Sequence, residues 1–168
     1  MNIVIRKEQP DHIEAITEVT AAAFERNEHS SHTEQYIIMA LRRASQLTLS
    51  LVALEGDVVV GHIAVSPVAI SSGDAEWYGL GPLAVRPERQ GKGIGSQLVR
   101  DALAALDQQG ASGCVVLGEP DYYGRFGFKA YPELTLPGAP QKYFQALSFT
   151  GSIPSGEVCY HSAFDATA

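Results

Sequence analysis

Between Arg89 and Leu98 the chain runs Gln90-Gly91-Lys92-Gly93-Ile94-Gly95-Ser96-Gln97, with glycine at three alternate positions. Glycine has no Cβ, so the backbone can turn tightly and come close to a ligand. The next residues read as a helix, whose first turn offers unpaired N–H groups and the positive end of the dipole. With Lys92 inside the run and Arg86 and Arg89 just upstream, this is an anion site, and a pyrophosphate is its natural occupant. A P-loop would need a longer glycine loop closed by Gly-Lys-Ser or Gly-Lys-Thr, which this stretch lacks. A dinucleotide fingerprint would need a glycine three places after the second. Here Gly95 falls two after Gly93, and no convincing acidic ribose ligand stands about 20 residues on. Alone, the run is either a phosphate cradle or a plain helix-entry turn.

The elements that must position this loop are legible on both sides. Ile3-Val4-Ile5 reads as a first strand, ended by Pro10-Asp11. Asp11 and Glu14 have capping-box spacing ahead of a helix carried by Ile13, Ile16, Val19, Thr20, Ala23 and Phe24. A second helix spans Thr33 to Arg43. Leu47 to Ala53 alternates as a strand, Gly56-Asp57 signals a hairpin, and Val58 to Ile70 returns. Trp77 to Val85 reads as a further strand, in which Gly79, Gly81 and Pro82 predict a bulge or splay. After the loop comes an amphipathic helix ending near Gly110, then a buried strand from Cys114 to Leu117. A short helix is expected over Asp121 to Phe126, capped by Gly127, with strands at Phe128–Tyr131 and Val158–Phe164 and a surface loop at Pro132–Pro140.

Composition sets the outer limits. The 168 residues are 45% hydrophobic and 18% charged, which suits one globular domain over 1–168. A net charge of −7 speaks against a nucleic-acid surface and is compatible with a cationic substrate such as an amine. No apolar run approaches the roughly 20 residues a membrane span needs, so no membrane partner is expected. No signal peptide is apparent, and the expected location is cytoplasmic. Cys114 and Cys159 form no disulfide framework and no zinc spacing; both read as buried thiols, and no metal is expected. Exposed strand edges leave room for a homodimer.

Two stretches carry a family resemblance. Leu83-Ala84-Val85-Arg86-Pro87-Glu88-Arg89-Gln90-Gly91-Lys92-Gly93-Ile94-Gly95 resembles the signature region of the GNAT (GCN5-related) N-acetyltransferases: an apolar strand end, Val-x-Pro, then Gln/Arg-x-x-Gly-x-Gly/Ala. Tyr122-Tyr123-Gly124-Arg125-Phe126-Gly127-Phe128 resembles the family's Tyr-x-x-x-Gly-Phe element, and the wider Leu-Gly-Glu-Pro context is similar to its YhbS-like branch. The order of elements also matches. The resemblance covers the core, 3–131, and is weakest over 132–168.

The resemblance implies an α+β fold, a mixed central sheet with a splayed central strand pair flanked by helices. It implies an acetyl-CoA-dependent N-acetyltransferase that moves an acetyl group to a primary amine by direct attack in a ternary complex. Backbone groups of Gln90, Gly91, Lys92, Gly93, Ile94, Gly95 and Ser96 would hold the CoA pyrophosphate, and those of Leu83, Ala84 and Val85 the pantetheine arm. Tyr123 takes the general-acid position, with Tyr122 as its rival and aromatic packing as the bland reading of both. Glu119 is the candidate base, and Glu34 and His62 are weaker ones, each also readable as a solvated or satisfied polar group. Cys114, on a strand away from any base, is not expected to be a nucleophile. Phe24, Tyr36, Trp77 and Tyr78 either line an acceptor pocket or belong to the core. A CoA- or acyl-CoA-binding regulatory module of the same fold is the competing reading. No motif identifies the acceptor.

Overall fold

Strands Ile3–Lys7 (β1), Leu49–Glu55 (β2) and Val58–Ile70 (β3) form an antiparallel meander in the computed structural model, which describes residues 2–168. The chain makes two compact units that alternate along the sequence. One holds everything up to Ser66 together with Gly81–Ala102 and Ser162–Ala168; the other holds Pro67–Leu80 and Leu103–His161.

In the first unit β1 pairs with β2 from Ile3↔Glu55 to Lys7↔Leu51. β2 pairs with β3 from Leu49↔Val65 to Glu55↔Val58, with a bulge at Ala53/Leu54. Gly56, at a φ of 61°, makes the predicted hairpin turn. Helices α1 (Ile13–Phe24) and α2 (Glu34–Arg43) cover one face of the meander. Ile16 and Val19 of α1 and Ile38 of α2 bury themselves with Val52, Leu54 and Ala64. This is the helical 3.6-residue stripe meeting the two-residue alternation of the strands.

The second unit begins within β3, at Pro67, and takes in strand β4 (Trp77–Val85) only as far as Leu80. Strand β4 runs parallel to β5 (Gly113–Leu117), from Trp77↔Gly113 to Gly79↔Val115. Pairing ends there, although β4 continues to Val85 and β5 to Leu117. Two residues further on, Gly81 takes a φ of 122° and is followed by Pro82, which has no N–H to give to a ladder. The strands part where the sequence predicts a splay. Strand β6 (Leu134–Thr135) pairs with β8 (Gly156–Tyr160), β7 (Phe144–Ser148) lies antiparallel to β5, and β8 lies antiparallel to the end of β3. Trp77, Val115, Leu134, Phe144, Ala146 and Val158 fill this unit's core. Parallel and antiparallel pairings together make the mixed sheet of an α+β fold.

Several expectations need correction. The cap before α1 is not Asp11 with Glu14: a turn of 3-10 helix, Pro10–His12, precedes α1, and Gln9 and His12 make the reciprocal box. Phe128–Tyr131 is not a strand; Lys129 makes a single bridge to Ala146. The last strand is Gly156–Tyr160, and Ser162–Asp165 coils into 3-10 helix. β6 lies inside the expected loop. Alternation along β8 buries Val158 and turns Cys159 outward, so only Cys114 is a buried thiol.

Candidate functional site

The glycine loop follows β4 as the sequence implies. Pro87–Arg89 forms a 3-10 turn, and Arg89 is tied to Glu55 by an ion pair of 2.7 Å. The Arg86 Nε–H donates to the Val59 carbonyl at 2.8 Å, and the Gln90 amide donates to the Val85 carbonyl at 3.0 Å, so both ends of the turn are fixed. Gly91 and Gly93 then take φ of 76° and 85°, the left-handed region that glycine enters without steric penalty. Nothing lies within 4 Å of where a Cβ would stand on either residue. Helix α3 (Ile94–Gln108) comes next, and the Gln97 N–H donates to the Gly93 carbonyl at 3.1 Å. The amides of Ile94 and Gly95 therefore precede the helical ladder. Lys92 and Gly93 are exposed, while Ile94 anchors the helix start in the core at 2% exposure. Backbone amides at a helix start beside an exposed lysine are chemically suited to an anion such as a pyrophosphate.

In the other unit, helix α4 (Pro120–Tyr123) opens directly after β5. The Glu119 carbonyl accepts the Tyr123 N–H at 3.0 Å, and Glu119 itself is exposed. The ring of Tyr123 lies against Gly118, where a Cβ would collide with it. It meets Phe128 edge-on at 5.9 Å and Tyr122 at 5.0 Å between centroids. Burial first, and then the neighbouring Tyr122 and Cys114 groups, push the Tyr123 phenol above the ordinary tyrosine range. It stays protonated at any working pH. Tyr122 carries the Arg125 guanidinium over its ring at 4.8 Å. Burial likewise drives the Cys114 thiol upward, so it offers no thiolate.

The two weaker base candidates sit elsewhere. Glu34 is in the first turn of α2, where the Ser30 hydroxyl donates to it at 2.6 Å. His62 is fully buried on β3, its Nε2 2.8 Å from the Ser50 hydroxyl, which is also bonded to Glu8. Glu8 in turn pairs with Arg42 at 2.8 Å. Burial works to raise the Glu8 carboxyl, but the bonds from Arg42 and Ser50 outweigh it and hold the group below its usual range. Burial, opposed by Glu8 and assisted by Arg42, brings the His62 imidazole down to about 3. A group this weakly basic and this enclosed is a structural polar residue.

That network has a measurable consequence. Because the folded-state value lies below the ordinary 6.5, unfolded His62 takes up a proton first, and stability falls as pH drops from 6.5 toward 3. At pH 5 the loss is about 2 kcal/mol relative to pH 7.5. Urea midpoints at the two pH values measure it, and His62→Gln is expected to remove most of the difference. An unchanged difference in that variant would exclude His62 as its source.

A family model described as an acetyltransferase (GNAT) domain matches residues 4–131. The chain belongs to the GNAT acetyltransferase family. It is 37% identical over 128 residues to the N-acetyltransferase YhbS of Escherichia coli (strain K12), a span of 76% of this chain and 74% of that one. Among solved structures, a GNAT family acetyltransferase from Brucella melitensis in complex with acetyl-CoA superimposes with a TM-score of 0.88 at 50% identity, covering 98% of this chain and 99% of the other. The E. coli YhbS complex with CoA also gives 0.88, at 32% identity, covering 100% of this chain and 94% of the other. The GNAT chain is thus an N-acetyltransferase by kinship as well as by its motifs. Among the described residues no helix is long and apolar enough to cross a membrane, and no group of three or more His, Cys, Asp or Glu is placed to hold a metal ion.

Tyr160 is a residue that sequence reasoning passes over. It is the last residue of β8 and lays its ring on Gly79 of β4, where a Cβ would stand 2.8 Å from its Cε2 atom. No local signal marks it, because its meaning depends on a glycine far back in the chain.

Proposed function

We propose that this enzyme transfers the acetyl group of acetyl-CoA to a primary amine of a small molecule or peptide, by direct attack in a ternary complex. The observation that carries the reading is the glycine pair at the start of α3, with its left-handed backbone and open space above it. Backbone amides from Gln90 to Ser96 hold the pyrophosphate, and Lys92 adds charge to the same cradle. Leu83, Ala84 and Val85 offer backbone groups to the pantetheine arm as if to an added strand. The end of β4–β5 pairing at Gly79 supports this, since it leaves the rest of β4 without a β5 partner. The bound acetyl-CoA of the Brucella melitensis relative supports it too. On this reading the two units act as one transferase domain.

The amine lone pair attacks the thioester carbonyl carbon, whose oxygen is polarised by a backbone N–H of β4. The C–N bond forms, the C–S bond breaks, and its electron pair leaves on sulfur. Tyr123 gives its proton to that thiolate. The burial that raises the phenol also raises a thiolate lodged beside it, so the transfer is not blocked by the phenol's high value. Glu119 takes the proton that the amine loses, directly or through a water molecule. The test is thiol release from acetyl-CoA with a panel of amines. Release that requires an amine supports the reading, and tight CoA binding without release from any amine or protein overturns it.

A further inference from the structure

The split between β4 and β5 has a phenol on each lip. On one lip Gly79, the last residue of β4 paired with β5, is covered by the ring of Tyr160. Its Cβ would stand 2.8 Å from Tyr160 Cε2, 3.3 Å from Tyr160 Cζ and 3.2 Å from Val68 Cγ1. On the other lip Gly118 is covered by the ring of Tyr123. Both glycines are needed for close approach, since any side chain would displace the ring. Gly79 pairs with Val115, and side chains of paired residues share a face of the sheet. Gly118 lies three residues after Val115. Its N–H keeps the direction of the β5–β7 ladder, donating to the Tyr143 carbonyl at 2.9 Å, and the chain bends at this residue. Alternation therefore turns Gly118 to the face opposite Gly79. The two phenols approach the split from opposite faces.

Burial first, then the neighbouring Cys114 and Tyr123 groups, raise the Tyr160 phenol above the ordinary range, so it is neutral. Tyr160 is held in place from behind by its β8–β3 pairing with Val68 and by the core of Trp77, Val115 and Phe144. A neutral phenol fixed in this way is a hydrogen-bonding group without charge.

We infer that Tyr160 is the acceptor-contacting residue of the transfer reaction, presenting its hydroxyl to the incoming amine from the face opposite Tyr123. The inference rests on the transferase reading, in which Tyr123 serves the departing sulfur and the amine takes the other face of the sheet. A neutral oxygen there accepts a hydrogen bond from the amine N–H and leaves the nitrogen lone pair for the carbonyl carbon. It orients the amine and forms no bond to it.

The experiment compares the wild-type enzyme with Tyr160→Phe and Gly79→Ala in thiol release from acetyl-CoA. Spermidine, phenethylamine and a lysine-containing peptide serve as probe acceptors. Tyr160→Phe keeps the ring and its packing and removes only the hydroxyl. The KM for the acceptor should rise about 5- to 10-fold, the value of one hydrogen bond, while acetyl-CoA KM stays within about twofold. Gly79→Ala should move the same constant at least as far, because it displaces the ring without altering the phenol. Acceptor KM unchanged in Tyr160→Phe, or a loss confined to acetyl-CoA binding, overturns the inference and leaves the transferase reading standing. Wild-type enzyme that binds CoA tightly yet releases no thiol with these or any other amine or protein acceptor overturns both.

Discussion

Tyr123→Phe is expected to lower kcat about 100-fold while leaving acetyl-CoA affinity within about twofold of wild type. The phenylalanine ring preserves the contacts with Phe128 and Tyr122 and the seat on Gly118, so folding is not at stake. What is lost is the one proton this side chain can give. A departing thiolate then leaves without protonation, in a place where burial already disfavours charge. About 100-fold corresponds to about 2.7 kcal/mol of transition-state stabilisation. Because burial raises the phenol, no alkaline limb from Tyr123 ionisation is expected in the wild-type kcat profile below pH 10. Steady-state thiol release across pH 6 to 10 measures both effects. Wild-type turnover in the variant would remove the role assigned to Tyr123 and turn attention to Tyr122.

The second large effect concerns the loop. Gly91→Val with Gly93→Val is expected to weaken CoA binding about 100-fold. Both residues hold left-handed backbone, at φ of 76° and 85°. Each β-branched replacement costs about 1–2 kcal/mol there, and the loop escapes the strain by rearranging its amides. The affinity that depends on those amides is then lost. The variant should lose almost nothing toward acetyl-pantetheine, which has no pyrophosphate. Calorimetry with the two ligands separates a broken phosphate cradle from a damaged protein. Equal losses for both would show that the loop acts through overall folding.

The loop and its flanking elements are legible in the sequence because each rests on a short-range pattern. Gln90 to Gly95 has its glycine spacing, α3 has its apolar stripe, and β3 has its β-branched run. The parting of β4 from β5 is foreseeable from Gly79, Gly81 and Pro82 for the same reason. Patterns that depend on distant partners are not readable. Phe144–Ser148 becomes a strand by pairing with β5, and its Gln145 is buried because its amide reaches the Gly118 carbonyl. Phe128–Tyr131 looks like a strand, but its pairing is a single bridge from Lys129 to Ala146. His62 looks like a candidate base from its type. Only its burial and the Ser50–Glu8–Arg42 chain show that it is structural. Tyr160 gains its meaning only with Gly79 placed beneath it.

The most direct test of the central claim is amide chemical-shift mapping of the loop during titration with CoA and, separately, with acetyl-pantetheine. If the backbone from Gln90 to Ser96 cradles the pyrophosphate, the amides of Gly91 to Gly95 should show the largest shifts with CoA and remain nearly still with acetyl-pantetheine. Shifts with CoA that spare these amides and gather elsewhere would contradict the claim.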